Sequence, residues 1–161
     1  MYFLLQRIRH FLISNSRHGT HSPFVYALAD QAIYNKQKAV TDNVTGSEII
    51  PEPYRSLISR ILHHLEKKQI VGISNFFGEA DVLFVDAEQL TTPLIDQYLT
   101  DQRIIIINKI HRSKKNKSVW ENATRASKVT VSIDLLHFGI LVHRSIQVKE
   151  DFVLRYPYWI K

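Results

Sequence analysis

Four consecutive isoleucines, Ile104–Ile107, follow Arg103 and constrain the fold more than any other stretch. Side chains of a strand point alternately to its two faces, so an unbroken β-branched run leaves neither face for water. Such a strand belongs in the middle of a sheet that is covered on both sides. A second apolar run, Val82–Val85 within Asp81–Asp86, reads as another buried strand. Between the two, Thr92–Leu99 is a short helix with Pro93 near its start. Ser113 can cap a helix that extends through Ser127 and turns Val119, Trp120 and Ala123 inward. Val129–Leu135 and Phe138–Arg144 flank Leu136-His137 and predict an antiparallel hairpin. Phe152–Tyr156 is a final extended segment. Strand, helix, strand, helix and hairpin together define an α/β sheet.

The first 68 residues read differently. Leu4, Leu5, Ile8, Phe11 and Leu12 recur at helical spacing over Phe3–Ile13,. This wide apolar stripe is expected to dock on the domain. Arg7 and Arg9 lie within it and no acidic residue precedes Asp30. The segment is therefore basic and amphipathic, a pattern shared with presequences and surface-binding helices. Ser14–Gly19 breaks this helix. Ser22 as cap and Pro23 at the first position start a second one, running to about Lys36 and burying Phe24, Leu28 and Ala32. Gln37–Pro53 is a loop, with Asn43, Gly46, Pro51 and Pro53 as breakers. Tyr54–Lys68 is a third helix, with Leu57, Ile58, Ile61, Leu62 and Leu65 on one face. Lys67 and Lys68 in its last turn would complement the helix dipole.

Gln69–Ile73 is a short strand candidate. The Ser74–Ala80 connection to Asp81–Asp86 is shorter than the dozen or so residues that a parallel crossover takes. The two strands are therefore not expected to be parallel neighbours. Asp81–Asp86 is expected near an exposed edge, to be covered by the N-terminal helices or by a second copy of the chain.

With 161 residues, 45% of them hydrophobic, the chain suits a single domain: a helical segment, 1–68, and a reduced sheet, 69–161,. It has no cysteine, which excludes disulfides and thiolate chemistry,. No apolar run is long enough to span a bilayer, and the N-terminus lacks the order of charge and small residues of a secretory signal. A cytoplasmic protein is expected. The net charge of +6 permits an acidic or nucleic-acid partner without requiring one,.

Arg17-His-Gly-Thr-His-Ser-Pro-Phe-Val25 resembles the N-terminal signature of a group of class I S-adenosylmethionine-dependent methyltransferases found in Bacteroidetes. Asp81–Asp86 is similar to their fourth strand, Ile104–Ser113 to their fifth strand and its following turn, and Lys128–Arg144 to their terminal hairpin. Glu150–Tyr156 resembles their closing segment. The resemblance covers residues 1–68 and 80–156. It implies a truncated Rossmann-like methyltransferase sheet with N-terminal helices and a C-terminal antiparallel hairpin. It also implies S-adenosylmethionine as the cofactor of any active member.

The departures bear on function. Such enzymes hold the cofactor on a glycine-rich turn after the first strand, where the backbone approaches the ligand and leads into a helix. Here the only candidate is Val71–Gly78, containing Gly72, with two phenylalanines and no helix after it. The strand that would carry an acid for the ribose hydroxyls is missing. Asn108-Lys109 stand where the family carries acidic residues. The expected function is a non-catalytic interaction module that has lost cofactor binding, and a homodimer. One alternative is an active methyltransferase with an atypical pocket. The other is a basic nucleic-acid-binding module.

Several residues could carry chemistry. Asp86 ends a buried strand, where open α/β sheets bind ligands, and could orient a ligand or simply cap the next loop. His111 could be a general base or an exposed loop histidine beside Arg112. Asn108 lies at the same sheet end. His18 and His21 could contact substrate or shape their turn. They lack a third metal ligand nearby, and no metal is expected. Arg112, Lys114, Lys115 and Lys117 form the densest cationic run and could bind phosphates. They lack the interleaved aromatics on which single strands stack.

Overall fold

The isoleucine run is the centre of the molecule. The computed structural model describes residues 1–16, 21–35, 44–75 and 79–158. Its strands are β1 (Ile70–Gly72), β2 (Val82–Asp86), β3 (Ile104–Asn108), β4 (Val131–Asp134), β5 (Phe138–Val142) and β6 (Glu150–Val153). Its helices are α1 (Tyr2–Ile13), α2 (Pro23–Leu28), α3 (Glu52–His64), α4 (Thr92–Tyr98) and α5 (Lys114–Thr124). α2 continues without a break into a π-helical turn, Ala29–Ile33. The six strands form one mixed sheet in the order β1-β2-β3-β5-β4-β6.

β3 is buried along its whole length because each face of the sheet carries helices. Ile104 and Ile106 join one core with α2 and α3, through Leu28, Ile33, Ile58 and Ile61. Ile105 and Ile107 join the other with α4 and α5, through Ile95, Tyr98 and Trp120. The period of two along β3 thus divides four identical side chains between two cores. β1, β2 and β3 run parallel. β5 enters antiparallel between β3 and β4, as one arm of the expected hairpin.

Six expectations need correction. β1 is a parallel neighbour of β2, with Ile70 opposite Val82. The crossover is short because β1 is short: three residues advance only about 10 Å, so little chain is needed to return. The Asp81 carboxylate fixes the pairing by accepting from the backbone N–H of Lys68 and Gln69, at 2.8 and 3.2 Å. β2 is consequently interior, flanked by β1 and β3, and offers no edge for a second copy to cover. The edges are β1 and β6. Each carries a one-residue parallel bridge, Thr45 to Gln69 beside β1 and Asn15 to Leu154 just beyond β6. These bridges occupy edge groups that would otherwise stay free.

α3 begins at Glu52, so Pro53 sits in its first turn rather than breaking the loop, and it ends at His64. The chain leaves it at Glu66, whose φ of 56° ends the helix. Lys67 and Lys68 therefore lie beyond the last turn, and Lys67 Nζ reaches the Gln102 carbonyl at 2.7 Å. α5 stops at Thr124, short of Ser127. The last strand is Glu150–Val153, parallel to β4, rather than Phe152–Tyr156. The sixth correction concerns α1. It forms where expected, but Leu4, Leu5, Ile8, Phe11 and Leu12 are 54–76% exposed, and its one buried residue is His10. The helix docks through the face that carries His10 and the half-buried Phe3, not through the stripe.

α5 lies against β5 where Gly139 has no side chain. A Cβ there would run into the Trp120 ring. Gly139→Ala should destabilise the fold by about 1–3 kcal/mol, as overpacking does. Trp120→Leu in the same chain should recover part of that loss. Urea unfolding of the single and double variants measures both effects.

Candidate functional site

Two polar clusters lie at the carboxyl ends of the central strands. The first joins residues singled out in the sequence. Asp86 ends β2 and Asn108 ends β3, and the register puts them side by side. Asn108 Nδ2 donates to Asp86 Oδ1 at 2.7 Å, and Lys109 Nζ donates to Asp86 Oδ2 at 2.7 Å. Asp86 also forms a capping box with Gln89 over the short turn Ala87–Gln89. From α3, Tyr54 donates its hydroxyl to Asn108 Oδ1. Burial first, and then the Asp86 charge, push that phenol up to about 12. It is a neutral donor at pH 7. The network satisfies its own members. Gly72 stands at the end of β1 with open space beside it and an ordinary φ, so nothing there requires a glycine.

The second cluster was not foreseen. Asp134 ends β4 and is 6% exposed. His10 Nε2 donates to its Oδ1 at 3.0 Å, and His111 Nε2 donates to its Oδ2 at 2.6 Å. The backbone N–H of Leu136 also donates to Oδ1, at 2.9 Å, closing the hairpin turn in which Leu136 has a φ of 67°. Burial alone would raise the Asp134 carboxyl. The hydrogen bonds and charge of the two histidines outweigh it and hold the group well below the usual carboxylate range,. His111 is thus a buried hydrogen-bond partner of Asp134 rather than an exposed loop residue. The turn after β3 brings it there: Lys109 takes a left-handed φ of 62°, and its carbonyl accepts from Arg112 N and Asn116 Nδ2. A cavity of about 170 Å³ lies against the cluster, with Gln6, Arg9 and Lys117 also in its wall.

As chemistry, an imidazole oriented by a carboxylate is half of a base-and-nucleophile arrangement. Here the second imidazole occupies the other carboxylate oxygen. His111 Nδ1, the nitrogen left to act as base, is buried and has no hydrogen-bond partner among the described residues. No hydroxyl is hydrogen-bonded to either ring among those residues. No group of three or more His, Asp or Glu among them is arranged to hold a metal ion. The cluster ties α1, the turn after β3 and the hairpin together.

A third histidine, His137, packs in the hairpin turn against Tyr156, at 4.7 Å between ring centroids, and against Phe3. Desolvation first, then the charges of Arg7, His10 and His111, lower its pKa to about 4.

The remaining candidates lie apart. His18 falls outside the described residues, and His21 is exposed. Arg112, Lys114 and Lys115 are exposed at the start of α5, whereas Lys117 pairs with Glu121 at 3.5 Å. Sequence reasoning missed Asp134, His10 and Tyr54. The one available signal was a carboxylate inside the apolar run Val131–Leu136, a position that needs donors if buried. Comparison with family models, with curated proteins and with solved structures finds no match.

Asp134→Ala should lower the unfolding free energy by about 3–5 kcal/mol, because it leaves two buried imidazole donors unpaired. Chemical denaturation at neutral pH measures this. The His137 pKa lies below its ordinary 6.5, so the unfolded chain binds more protons between about pH 4 and 6.5,. Stability should rise with pH across that window and be lost on acidification through it. His137→Phe should flatten this part of the profile, read from urea midpoints.

Proposed function

We propose that this chain is a methyltransferase-like protein that has lost S-adenosylmethionine binding and serves as a non-catalytic interaction module. The observation that carries this reading is the closed network at the carboxyl ends of β2 and β3, where ligands of open α/β sheets bind. Both oxygens of Asp86 are taken by Asn108 and Lys109, and Tyr54 holds the other end of Asn108. Lys109 also places a cation where the family it resembles carries acidic residues. β1 leads into a tight turn, Ile73–Asn75, rather than into a glycine turn and a long helix. Parallel β2 and β3 followed by the β4–β5 hairpin support the likeness to the methyltransferase sheet. The exposed Arg112, Lys114 and Lys115 favour an acidic partner for such a module,.

Calorimetric titration with S-adenosylmethionine and with S-adenosylhomocysteine tests the reading. No heat at high micromolar ligand is expected. Saturable binding at one site would overturn the loss of cofactor binding and favour an active enzyme with Asp86 and Asn108 at its substrate side.

A further inference from the structure

The inverted docking of α1 leaves a surface that the fold does not use. At 3.6 residues per turn, His10 shares the inner face with Phe3, Gln6 and Ser14,. Leu4, Leu5, Ile8, Phe11 and Leu12 fall on the opposite face and form an apolar stripe about 120° wide,. Arg7 and Arg9 lie on its two flanks. The stripe continues into a groove of about 350 Å³ between Leu4, Ile8 and Phe11 on one side and Tyr156 and Tyr158 on the other. Two cations, Arg7 and Arg155, meet the aromatic groups there. The Arg7 guanidinium lies 4.5 Å from the centre of the Tyr158 ring, and that of Arg155 lies 4.6 Å from the Phe11 ring.

Size and charge select the occupant. A stable protein–protein interface takes about 20–30 residues a side, far more than one stripe provides. A second copy packed on it would bring the Arg7 and Arg9 side chains of both helices to one seam. The helix carries no acid to answer them. Glu121, in the cavity wall beside Arg9, is already held by Lys117. A twelve-residue helix is about 18 Å long and cannot cross a hydrocarbon core of about 30 Å,. None of the helices among the described residues can. An apolar stripe with cations on both flanks fits a surface whose interior is apolar and whose outer layer is negative.

We infer that α1 is an interfacial helix by which the protein lies on an anionic lipid surface. The stripe enters the boundary of the acyl chains while Arg7, Arg9 and Arg155 meet the headgroups, and the face of the helix that carries His10 stays on the domain through Asp134. The stripe of α1 and the groove beside it carry this reading, which stands whether or not the sheet binds a cofactor.

Co-sedimentation of the full chain with two kinds of vesicle tests it: phosphatidylcholine alone, and phosphatidylcholine with about one-third phosphatidylserine. Binding is expected on the anionic vesicles and should weaken as salt rises. Leu5→Glu with Leu12→Glu should reduce it by more than about tenfold, because both side chains leave the apolar phase. The melting temperature should hold, since both positions face solvent. Arg9→Glu should reduce the preference for phosphatidylserine. Absence of binding, equal binding to the two vesicles, or full binding by the double glutamate variant would each refute the proposal. So would a dimer, seen by sedimentation equilibrium, that this variant dissociates while the parent ignores vesicles.

Discussion

A carboxylate buried between two imidazoles decides how the N-terminal helix sits. Asp134 ends β4 at a place closed to water, so its two oxygens need donors from the chain. One oxygen takes His111 from the turn after β3, and the other takes His10 from α1 and the Leu136 N–H. Satisfying it draws the face of α1 that carries His10 and Phe3 inward. The apolar side must then face out. Each half-exposed leucine, isoleucine or phenylalanine forgoes something like half of the ~1.5–3 kcal/mol that full burial supplies. Five of them together forgo about as much as the buried ion pair stands to lose if broken, ~3–5 kcal/mol. The isolated domain therefore gains little by this orientation. A surface that covers the stripe would remove the deficit.

The same sheet end shows how a ligand position can close. Asp86, Asn108, Lys109 and Tyr54 come from three elements and satisfy one another. Each group is common at a binding site. Their mutual saturation is what leaves little for a ligand to gain, because a ligand would have to break hydrogen bonds before forming its own. The left-handed Lys109 serves both clusters. Its side chain reaches Asp86, and its backbone turns the chain so that His111 reaches Asp134.

Periodicity made most of the fold legible. Ile104–Ile107 can only be buried on both faces, and the structure divides them between two cores. Ser22, Thr91 and Ser113 cap the helices that follow them, a local matter of one side chain and one backbone N–H. The short β1–β2 connection was misjudged because a crossover length presumes strands of ordinary length, and β1 has three residues. The pairing depends on Asp81, which bonds backbone groups twelve and thirteen residues away. Of the candidate site, Asp86, Asn108 and His111 were visible as polar residues at strand ends. Asp134 and His10 were not visible as partners, since 124 residues separate them.

The sequence by itself determined the elements, the central strand, the hairpin and the amphipathic character of α1. These follow from side-chain spacing, capping and β-branching, which act within a few residues. Tertiary structure alone decided which face of α1 turns inward and that β2 lies inside the sheet. It also decided that His111 is buried. Those outcomes depend on single polar contacts between distant segments, Asp134 with His10 and His111, and Asp81 with the start of β1. Hydrophobic burial is non-directional and sets only how much surface is covered. A buried charge needs particular donors at particular atoms, and the folded chain alone brings them together.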